Sequence, residues 1–250
     1  MRTIGVIPSR YGSSRFPGKS LAPICGKPLV SWVARACLKA RALDDVIVAT
    51  DDERIAAAAS AAGVRAVMTD PDLPSGTDRV AAAAAAAPDD IVVNIQGDEP
   101  LIDPALIDSV ALKLRDDASG RFQMATACAP VRTVEELAAP SVVKVVLDRD
   151  DAALYFSRHP IPFSRDAAPD PSSGLWLRHV GIYAYRGDFL ARFVAEPPCV
   201  LEQTEKLEQL RAMWLGGRIA VVRAAELGVG VDRPEDVPVV EAIMRERGLA

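Results

Sequence analysis

The sequence predicts an α/β fold: a doubly wound, mostly parallel sheet with a smaller mixed or antiparallel subregion. Three observations predict this fold. The chain has 250 residues, and 50% of them are hydrophobic, which suffices for one large core. From the amino terminus, apolar strand patterns alternate with helix patterns, as they do in parallel sheets. After about residue 120, strand patterns follow one another without long helices between them.

The alternating part begins with a short apolar run that leads into a polar loop containing glycine. Such a run is typical of a buried parallel strand, and the alanine-rich helix patterns would allow close packing on a sheet. The predicted elements are, in order, strand Thr3–Pro8, helix Pro28–Leu43, strand Val46–Thr50, helix Asp52–Ala62, strand Val64–Met68, helix Thr77–Ala87, strand Ile91–Ile95 and helix Pro104–Leu114.

The second half of the chain carries the predicted subregion, over about residues 120–200, within one domain of residues 1–250. A loop rich in proline, serine and aspartate separates its strands, and two amphipathic helices follow. The predicted elements are strands Met124–Val131 and Val142–Asp148, loop Pro160–Gly174, strand Arg178–Tyr185, helix Leu201–Trp214, strand Ile219–Arg223 and helix Glu235–Gly248.

Composition excludes several classes of protein. The net charge of −5 disfavours a general nucleic-acid binder, and only two histidines disfavour a histidine-rich metal site. The four cysteines form no CxxC motif, which indicates buried thiols in a reducing compartment. Because no apolar run could span a membrane and Met1–Arg10 lacks a signal-peptide pattern, we expect a cytoplasmic protein.

The loop Ser9–Lys19 directly follows the first strand, where ligands bind in doubly wound sheets. It places Arg10, Arg15 and Lys19 close together in an otherwise acidic chain. Its glycines and serines would let backbone amides approach an anion. The loop therefore predicts a polyphosphate site, such as one for a nucleoside triphosphate; the alternative is a solvated surface loop.

This loop does not match a Walker A motif. Gly12 and Gly18 are separated by five residues, whereas that motif requires four. Pro23 and Pro28 also interrupt the helix that should follow the lysine of such a motif.

Two aspartates are placed to bind a metal near this loop. Asp98 lies in Gln96–Pro100, just after a hydrophobic strand, and Asp232 precedes the last predicted helix. Carboxylates near a triphosphate are what Mg²⁺ requires, with phosphates and water completing its ligands. The alternative is a turn or helix-cap role, especially for Asp232, which stands two residues before Pro234.

Eight short motifs, spread over nearly the whole chain, carry a family resemblance. They are Ser9–Lys19, Ser75–Arg79, Gln96–Pro100, Val143–Val146, Tyr155–Arg158, Arg178–Tyr183, Leu207–Arg211 and Gly230–Asp236. In this order they resemble the 3-deoxy-manno-octulosonate cytidylyltransferase family, also called CMP-Kdo synthetases. Each motif is short, but eight in register are very specific.

The resemblance implies a fold like that of nucleotide-diphospho-sugar transferases and a nucleotidyltransferase activity that requires Mg²⁺. The anomeric hydroxyl of 3-deoxy-D-manno-octulosonate (Kdo) would attack the α-phosphate of CTP, giving CMP-Kdo for lipopolysaccharide biosynthesis and releasing pyrophosphate. It also implies a homodimer in the cytoplasm, with the middle subregion forming much of the contact between subunits.

The resemblance further implies a role for individual residues. The catalytic residues would be Arg10, Lys19 and Asp98, and the metal ligands Asp98 and Asp232. CTP would contact Ser9, Arg10, Ser13, Arg15, Lys19, Ser75, Gly76 and Thr77. The sugar acid would contact Arg79, Gln96, Arg158, Arg165, His179, Tyr183, Glu208 and Gln209.

The sequence departs from the family pattern at Ser9, Ser20 and Pro74, where alanine, proline and a polar residue are usual. Alternative substrates are 8-amino-Kdo and sialic acid, although the motifs Tyr155–Arg158, Arg178–Tyr183 and Leu207–Arg211 favour Kdo over sialic acid. A hexose-1-phosphate nucleotidylyltransferase is disfavoured because the GxGTR loop is missing. The alternative from another class is a nucleotide-binding or sensing protein without turnover.

Overall fold

The structure is a computed structural model that describes residues 1–13, 15–224 and 228–249. Ser14, part of the first motif, lies outside the described residues. The strands are β1 (Thr3–Ser9), β2 (Pro23–Ile24), β3 (Lys27–Pro28), β4 (Asp45–Thr50), β5 (Arg65–Met68), β6 (Ile91–Asn94), β7 (Met124–Pro130), β8 (Lys144–Leu147), β9 (Ala153–Ser157), β10 (Leu177–Arg186) and β11 (Ile219–Arg223). The α-helices are α1 (Leu29–Cys37), α2 (Glu53–Ala61), α3 (Gly76–Ala84), α4 (Pro104–Arg115), α5 (Val134–Ala138), α6 (Gly187–Ala195), α7 (Val200–Glu205), α8 (Gln209–Trp214) and α9 (Asp236–Glu246).

One sheet organises the described part of the chain, with the order β11-β7-β10-β6-β1-β4-β5. β1 pairs in parallel with β4 and β6, β4 with β5, and β7 with β11. β10 is antiparallel to both of its neighbours, β6 and β7. The predicted α/β fold with a mostly parallel sheet is therefore confirmed.

Besides β10 itself, the sheet has an antiparallel extension, the β8–β9 hairpin, which is attached to the amino-terminal end of β10. β8 pairs with Leu177 and Arg178 of β10, and β9 pairs with β8. Because β10 runs against β6, its amino-terminal half lies near the carboxyl ends of β1 and β6. The hairpin thus lies toward the edge of the sheet where ligands bind in this class of fold.

Helices cover both faces of the sheet, as a doubly wound fold requires. On one face Ile7 of β1 packs in a cluster with Val33 of α1 and with residues of α4 and α9. On the other face Ile4 of β1 packs in a cluster with Val80 of α3 and with residues of α6 and α8. Among the described residues, no helix is long and apolar enough to cross a membrane.

Two predicted helices were wrong in extent. The helix predicted over Pro28–Leu43 ends at Cys37. Further along this segment, the backbone N–H groups of Arg41 and Ala42 donate to the Asp108 carboxylate instead of to helix carbonyls. The helix predicted over Leu201–Trp214 is two short helices, α7 and α8, and Lys206 between them has φ +53°.

The break between α7 and α8 has a tertiary cause. The Arg158 guanidinium donates to the carbonyl oxygens of Glu205 at 2.7 Å and Lys206 at 3.2 Å. These carbonyls therefore have partners from outside the helix where α7 ends. The sequence prediction also missed α5, α6 and β9.

Candidate active site

The Ser9–Lys19 loop closes on one carbonyl after it leaves β1. The Tyr11 carbonyl accepts hydrogen bonds from the N–H groups of Ser13 and Gly18, each at 3.0 Å. Gly18 has φ +72°, a conformation that glycine adopts without strain. A single 3₁₀ turn, Lys19–Leu21, and the β2–β3 hairpin follow, so the helix of a Walker A motif is not formed here.

The cations of this loop meet both predicted metal ligands. Lys19 Nζ lies 2.7 Å from Asp98 Oδ2 and 3.6 Å from Asp232 Oδ1. Both Arg15 Nη atoms lie 3.3 Å from oxygens of Asp232. The structure therefore brings together four predicted site residues from three distant segments of the chain.

The position of Asp98 follows from the pairing of β1 with β6. Parallel neighbours end at the same edge of the sheet, so the residues after β6 lie beside the residues after β1. Gly97 allows the close approach, because a Cβ there would lie 2.7 Å from both the Pro8 carbonyl oxygen and Ser9 Oγ. Only a residue without a side chain fits this contact unless the loop moves.

Asp232 is held by backbone contacts and does not cap α9. The Val231 N–H donates to the Asp98 carbonyl at 2.8 Å. The N–H groups of Asp232 and Arg233 both donate to Asp236 Oδ2 at 2.8 Å, and Glu235 is the N-cap residue. The Asp232 carboxylate is therefore available to Arg15 and Lys19.

The two carboxylates fit a Mg²⁺ ion that binds together with a substrate phosphate. Each is partly exposed, with 33% of the Asp98 side chain and 52% of the Asp232 side chain accessible. Mg²⁺ is commonly held by one or two carboxylates, with phosphates and water completing its ligands. Across residues 1–13, 15–224 and 228–249, no group of three or more His, Cys, Asp or Glu side chains is placed to hold a metal ion together.

Glu99, next to Asp98, is a titratable group that the sequence analysis did not single out. Burial, with a further contribution from the Asp98 charge, raises its pKa to about 7. A Cβ at Gly228 would lie 2.7 Å from Glu99 Oε2, so the Gly228 backbone packs directly against this carboxyl group.

A small cavity beside the loop collects residues predicted to contact CTP and the sugar acid. Its volume is about 180 Å³, and its walls include Ser9, Arg10, Ser75, Gly76, Arg79 and Gln96. The buried Ser9 hydroxyl has no hydrogen-bond partner in the described structure, whereas Ser75 Oγ caps α3 by accepting from two backbone N–H groups. Ser9 thus offers a free donor at the wall of this cavity.

A chain of hydrogen bonds connects further predicted residues. Gln96 donates to Asn94 Oδ1 at 3.3 Å, and Asn94 donates to Thr77 Oγ1 at 3.4 Å. Thr77 in turn donates to Glu208 Oε2 at 2.6 Å. Sequence reasoning missed Asn94, although a polar residue within the apolar strand Ile91–Ile95 was a usable signal.

Arg79 is almost entirely buried and connects three loops. Its guanidinium contacts Asp51 at 3.6 Å and donates a hydrogen bond to Thr69 Oγ1. Asp51 also accepts from the Tyr11 N–H at 3.1 Å. Sequence reasoning missed Asp51, which supports both Arg79 and the phosphate loop.

Two cations expected to contact the sugar acid do not line the 180 Å³ cavity. Arg158 donates to the carbonyls of Pro140, Glu205 and Lys206. The exposed Arg165 lies 3.7 Å from the neighbouring Asp166.

His179 and Tyr183 both lie on β10, His179 in its amino-terminal half and Tyr183 just past its middle. His179 Nε2 is 2.9 Å from Thr126 Oγ1, and its ring contacts those of Phe156 and Tyr183. Burial lowers the pKa of His179 to about 3, which makes it a weak base at neutral pH. Tyr183 lies 3.5 Å from Gln209 Oε1, and burial raises its pKa.

Comparisons with known proteins agree with this arrangement. The profile of the cytidylyltransferase family matches residues 4–219. A 3-deoxy-manno-octulosonate cytidylyltransferase of Bdellovibrio bacteriovorus is 48% identical over 250 residues, covering 100% of both chains. One of Pseudomonas fluorescens is 48% identical over 248 residues, covering 96% of each chain.

Solved structures show the same similarity. A CMP:2-keto-3-deoxy-manno-octonic acid synthetase in complex with CTP superposes with a TM-score of 0.91. It is 42% identical and covers 99% of this chain and 100% of its own. A 4-diphosphocytidyl-2C-methyl-D-erythritol synthase, 16% identical, has a TM-score of 0.63 over 97% of this chain and 98% of its own, and shows the shared fold alone.

Proposed function

The chain belongs to the 3-deoxy-manno-octulosonate cytidylyltransferase family, and we propose that it transfers the cytidylyl group of CTP to Kdo and releases pyrophosphate. Sequence identity of 48% over nearly the whole chain to relatives named for this activity supports it. Within the chain, the observation that carries the proposal is the contact of Lys19 with both Asp98 and Asp232. A cation of a phosphate loop beside two carboxylates is the arrangement that a metal–triphosphate complex requires.

Arg10, Arg15 and Lys19 bind the triphosphate in this proposal. Kdo carries a carboxylate and CTP several phosphate charges, so bringing the two together requires nearby cations. Lys19 and Arg10 stabilise the negative charge that grows on the departing pyrophosphate. Arg10 is exposed at the cavity wall and forms no salt bridge within the described chain, so its guanidinium is available to a phosphate.

Asp98 and Asp232 would hold Mg²⁺ beside the substrate phosphate. When bound there, Mg²⁺ would neutralise phosphate charge and favour ionisation of the attacking hydroxyl. The two carboxylates are held next to each other because the Val231 N–H donates to the Asp98 carbonyl and so joins their two loops. Their spacing would set the position of the ion.

The remaining predicted residues orient the two substrates. We assign Ser9, Ser13, Ser75, Gly76 and Thr77 to CTP. The sugar acid is assigned to Arg79, Gln96, Arg158, Arg165, His179, Tyr183, Glu208 and Gln209. Because the pKa of His179 is about 3, its imidazole is a weak base near pH 7, which supports a hydrogen bond to a sugar hydroxyl over a role as general base.

We also propose that the single domain of residues 1–250 forms a homodimer through its subregion at about 120–200. β9 pairs with β8 and with no other strand in the described structure. On this strand, 56% of Leu154 is exposed, an apolar contact that a second subunit would cover. The proposed setting is the cytoplasm, with CMP-Kdo serving lipopolysaccharide biosynthesis.

A substrate panel tests the activity. Each of the four nucleoside triphosphates is combined with Kdo, 8-amino-Kdo or sialic acid in the presence of Mg²⁺, and pyrophosphate release is measured. We expect the highest kcat/KM for CTP with Kdo. A preference for 8-amino-Kdo or sialic acid would replace the sugar assignment, and CTP binding without pyrophosphate release from any pair would contradict an enzymatic function.

A further inference from the structure

A second groove lies among α1, α4, α9 and the loop that precedes α4. Its volume is about 770 Å³, within the range of small-molecule sites. None of the residues assigned above to CTP, the sugar acid or Mg²⁺ lines it. The groove is therefore separate from the proposed active site.

The floor of the groove is apolar and its polar groups are already paired. Leu101, Ile102 and Met244 form buried parts of the wall. The Trp32 indole N–H donates to the Ile24 carbonyl at 2.7 Å, so it has no free donor. Asp103 likewise accepts from the backbone of α4, which it caps. The floor can consequently receive an aliphatic group but offers few hydrogen bonds.

The rim of the groove is cationic, although the chain as a whole has a net charge of −5. Lys27 lies over the Trp32 ring, with Nζ 4.5 Å from the ring centre. Arg35 and Lys39 are exposed, and neither forms a salt bridge with any described residue. Arg247, which directly follows α9, also lines the rim.

A purely structural explanation accounts for only part of this arrangement. Arg35 and Lys39 lie near the carboxyl end of α1, where cations interact favourably with the helix dipole. Arg247 is the C-cap residue of α9, where the same effect applies, and Lys27 lies over the Trp32 ring. These local roles do not explain why three separate segments place their cations around the same apolar floor. Exposed leucines at the rim, Leu38 at 51% and Leu249 at 44%, extend the apolar surface to its mouth.

We propose that this groove binds an anionic amphiphile, a ligand with one phosphate or carboxylate head on an aliphatic chain. The head group contacts Arg35 and Lys39, and the chain lies along Leu101, Ile102 and Met244. Charge complementarity selects the anion, and burial of apolar surface supplies most of the affinity. This binding site goes beyond the proposed transferase function.

The groove shares a wall with the loop that carries Asp98. Pro100 and Gly228 line it, and the Gly228 backbone packs against Glu99, the neighbour of Asp98. The amphiphile would reach this loop from the groove, whereas the residues assigned to CTP lie outside the groove. The proposal therefore implies that the chain can bind the amphiphile and CTP at the same time.

The test is calorimetric titration of the full chain with dodecyl phosphate and, separately, dodecanoate, at concentrations at which both are monomeric. Dodecyl maltoside, with the same chain and a neutral head, and inorganic phosphate are the comparison ligands. We expect both comparison ligands to bind at least about tenfold more weakly than the better amphiphile. The tighter of the two amphiphiles identifies the preferred head group.

The double variant Arg35→Gln/Lys39→Gln should weaken amphiphile binding at least about tenfold and leave pyrophosphate release unchanged. Arg132→Gln, which removes an exposed cation elsewhere, is the matched control and should bind like the unmodified chain. The proposal is overturned by the lack of amphiphile binding, by equal affinity for dodecyl maltoside, by displacement with saturating CTP, or by unchanged affinity in the double variant. Binding to anionic vesicles without binding of the monomeric amphiphiles would indicate a membrane-surface site instead and would also overturn it.

Discussion

The Lys19 ammonium nitrogen lies 2.7 Å from Asp98 Oδ2, and the same nitrogen contacts Asp232 at 3.6 Å. The two carboxylates repel each other, and the shared cation offsets that repulsion. Lys19 itself is mostly buried, which strengthens the attraction compared with a fully exposed ion pair. One side chain of the phosphate loop thus holds together the two loops proposed to bind Mg²⁺.

Replacement of Lys19 should therefore have opposite effects on two ligands. In Lys19→Gln, KM for CTP should rise at least about tenfold, because a charge-assisted phosphate contact is lost. Without CTP, the variant should bind Mn²⁺ more tightly than the unmodified chain, because the ammonium no longer competes for the carboxylates. Steady-state kinetics and Mn²⁺ titration measure both effects. Lys113→Gln on α4 is the control, and an unchanged KM for CTP in Lys19→Gln would contradict the assignment.

Asp98→Asn tests the carboxylate itself. The substitution keeps the shape of the side chain but removes its charge, so kcat for pyrophosphate release should fall at least about 100-fold with the melting temperature little changed. Asp116→Asn, in which an exposed aspartate at the end of α4 is changed, provides the comparison. Near-normal turnover of Asp98→Asn would remove Asp98 from the metal site.

Gly97→Ala tests the close approach of the β6 and β1 loops. The added Cβ would lie 2.7 Å from the Pro8 carbonyl oxygen and from Ser9 Oγ, so the loops must separate. We expect a loss of about 1–3 kcal/mol in the free energy of unfolding, measured in urea, together with reduced kcat. Gly12→Ala, whose Cβ would meet none of the described residues within 4 Å, should retain its stability. Equal stability of the two variants would show that the contact is not restrictive.

Glu205→Ala tests the junction of α7 and α8. The Glu205 carboxylate accepts from Ser157 Oγ at 2.6 Å and from the Arg158 N–H at 2.9 Å. Their loss should destabilise the fold by about 1–3 kcal/mol and raise KM for Kdo more than KM for CTP, because Glu208 and Gln209 follow this junction. Glu246→Ala is the control. An equal rise in both KM values would argue against a specific effect on the sugar-acid side.

His179 should make stability depend on pH. Its pKa falls from 6.5 to about 3 on folding, so below pH 6.5 the unfolded chain binds a proton that the folded chain does not. Its contribution therefore reduces stability as the pH falls from 6.5 towards 3, by up to about 1.4 kcal/mol per pH unit. The drop in melting temperature between pH 7 and pH 5 should be smaller in His179→Gln than in the exposed-site control His159→Gln. Equal drops in the two variants would contradict the low pKa.

The parallel core was predictable because its information is local. Strands such as β1, β6 and β11 are mainly apolar runs that end in a polar residue, and the prediction for Ile219–Arg223 agrees residue for residue. The break at Lys206 was not predictable, because the amphipathic pattern continues through it. Its cause, the Arg158 guanidinium, comes from a segment distant in sequence.

The candidate site shows the same division. The Ser9–Lys19 loop and Asp98 were found because each follows a strand, and parallel strands bring such loops to one edge. Asp51, Asn94 and Thr126 were missed, because each is a single polar residue whose role depends on a partner from another element. Hydrogen-bond chains of this kind leave no regular spacing in the sequence.

The reversed strand β10 also bears on how the chain is made. It is synthesised after both of its neighbours, β6 and β7, yet lies between them. Until the ribosome has released residues 177–186, the amino-terminal half of the molecule has an unpaired β6 edge. Nascent chains that stop before this point would therefore expose an open strand edge that favours chaperone capture and aggregation, and the insertion of β10 would be the step that joins β6 to β7.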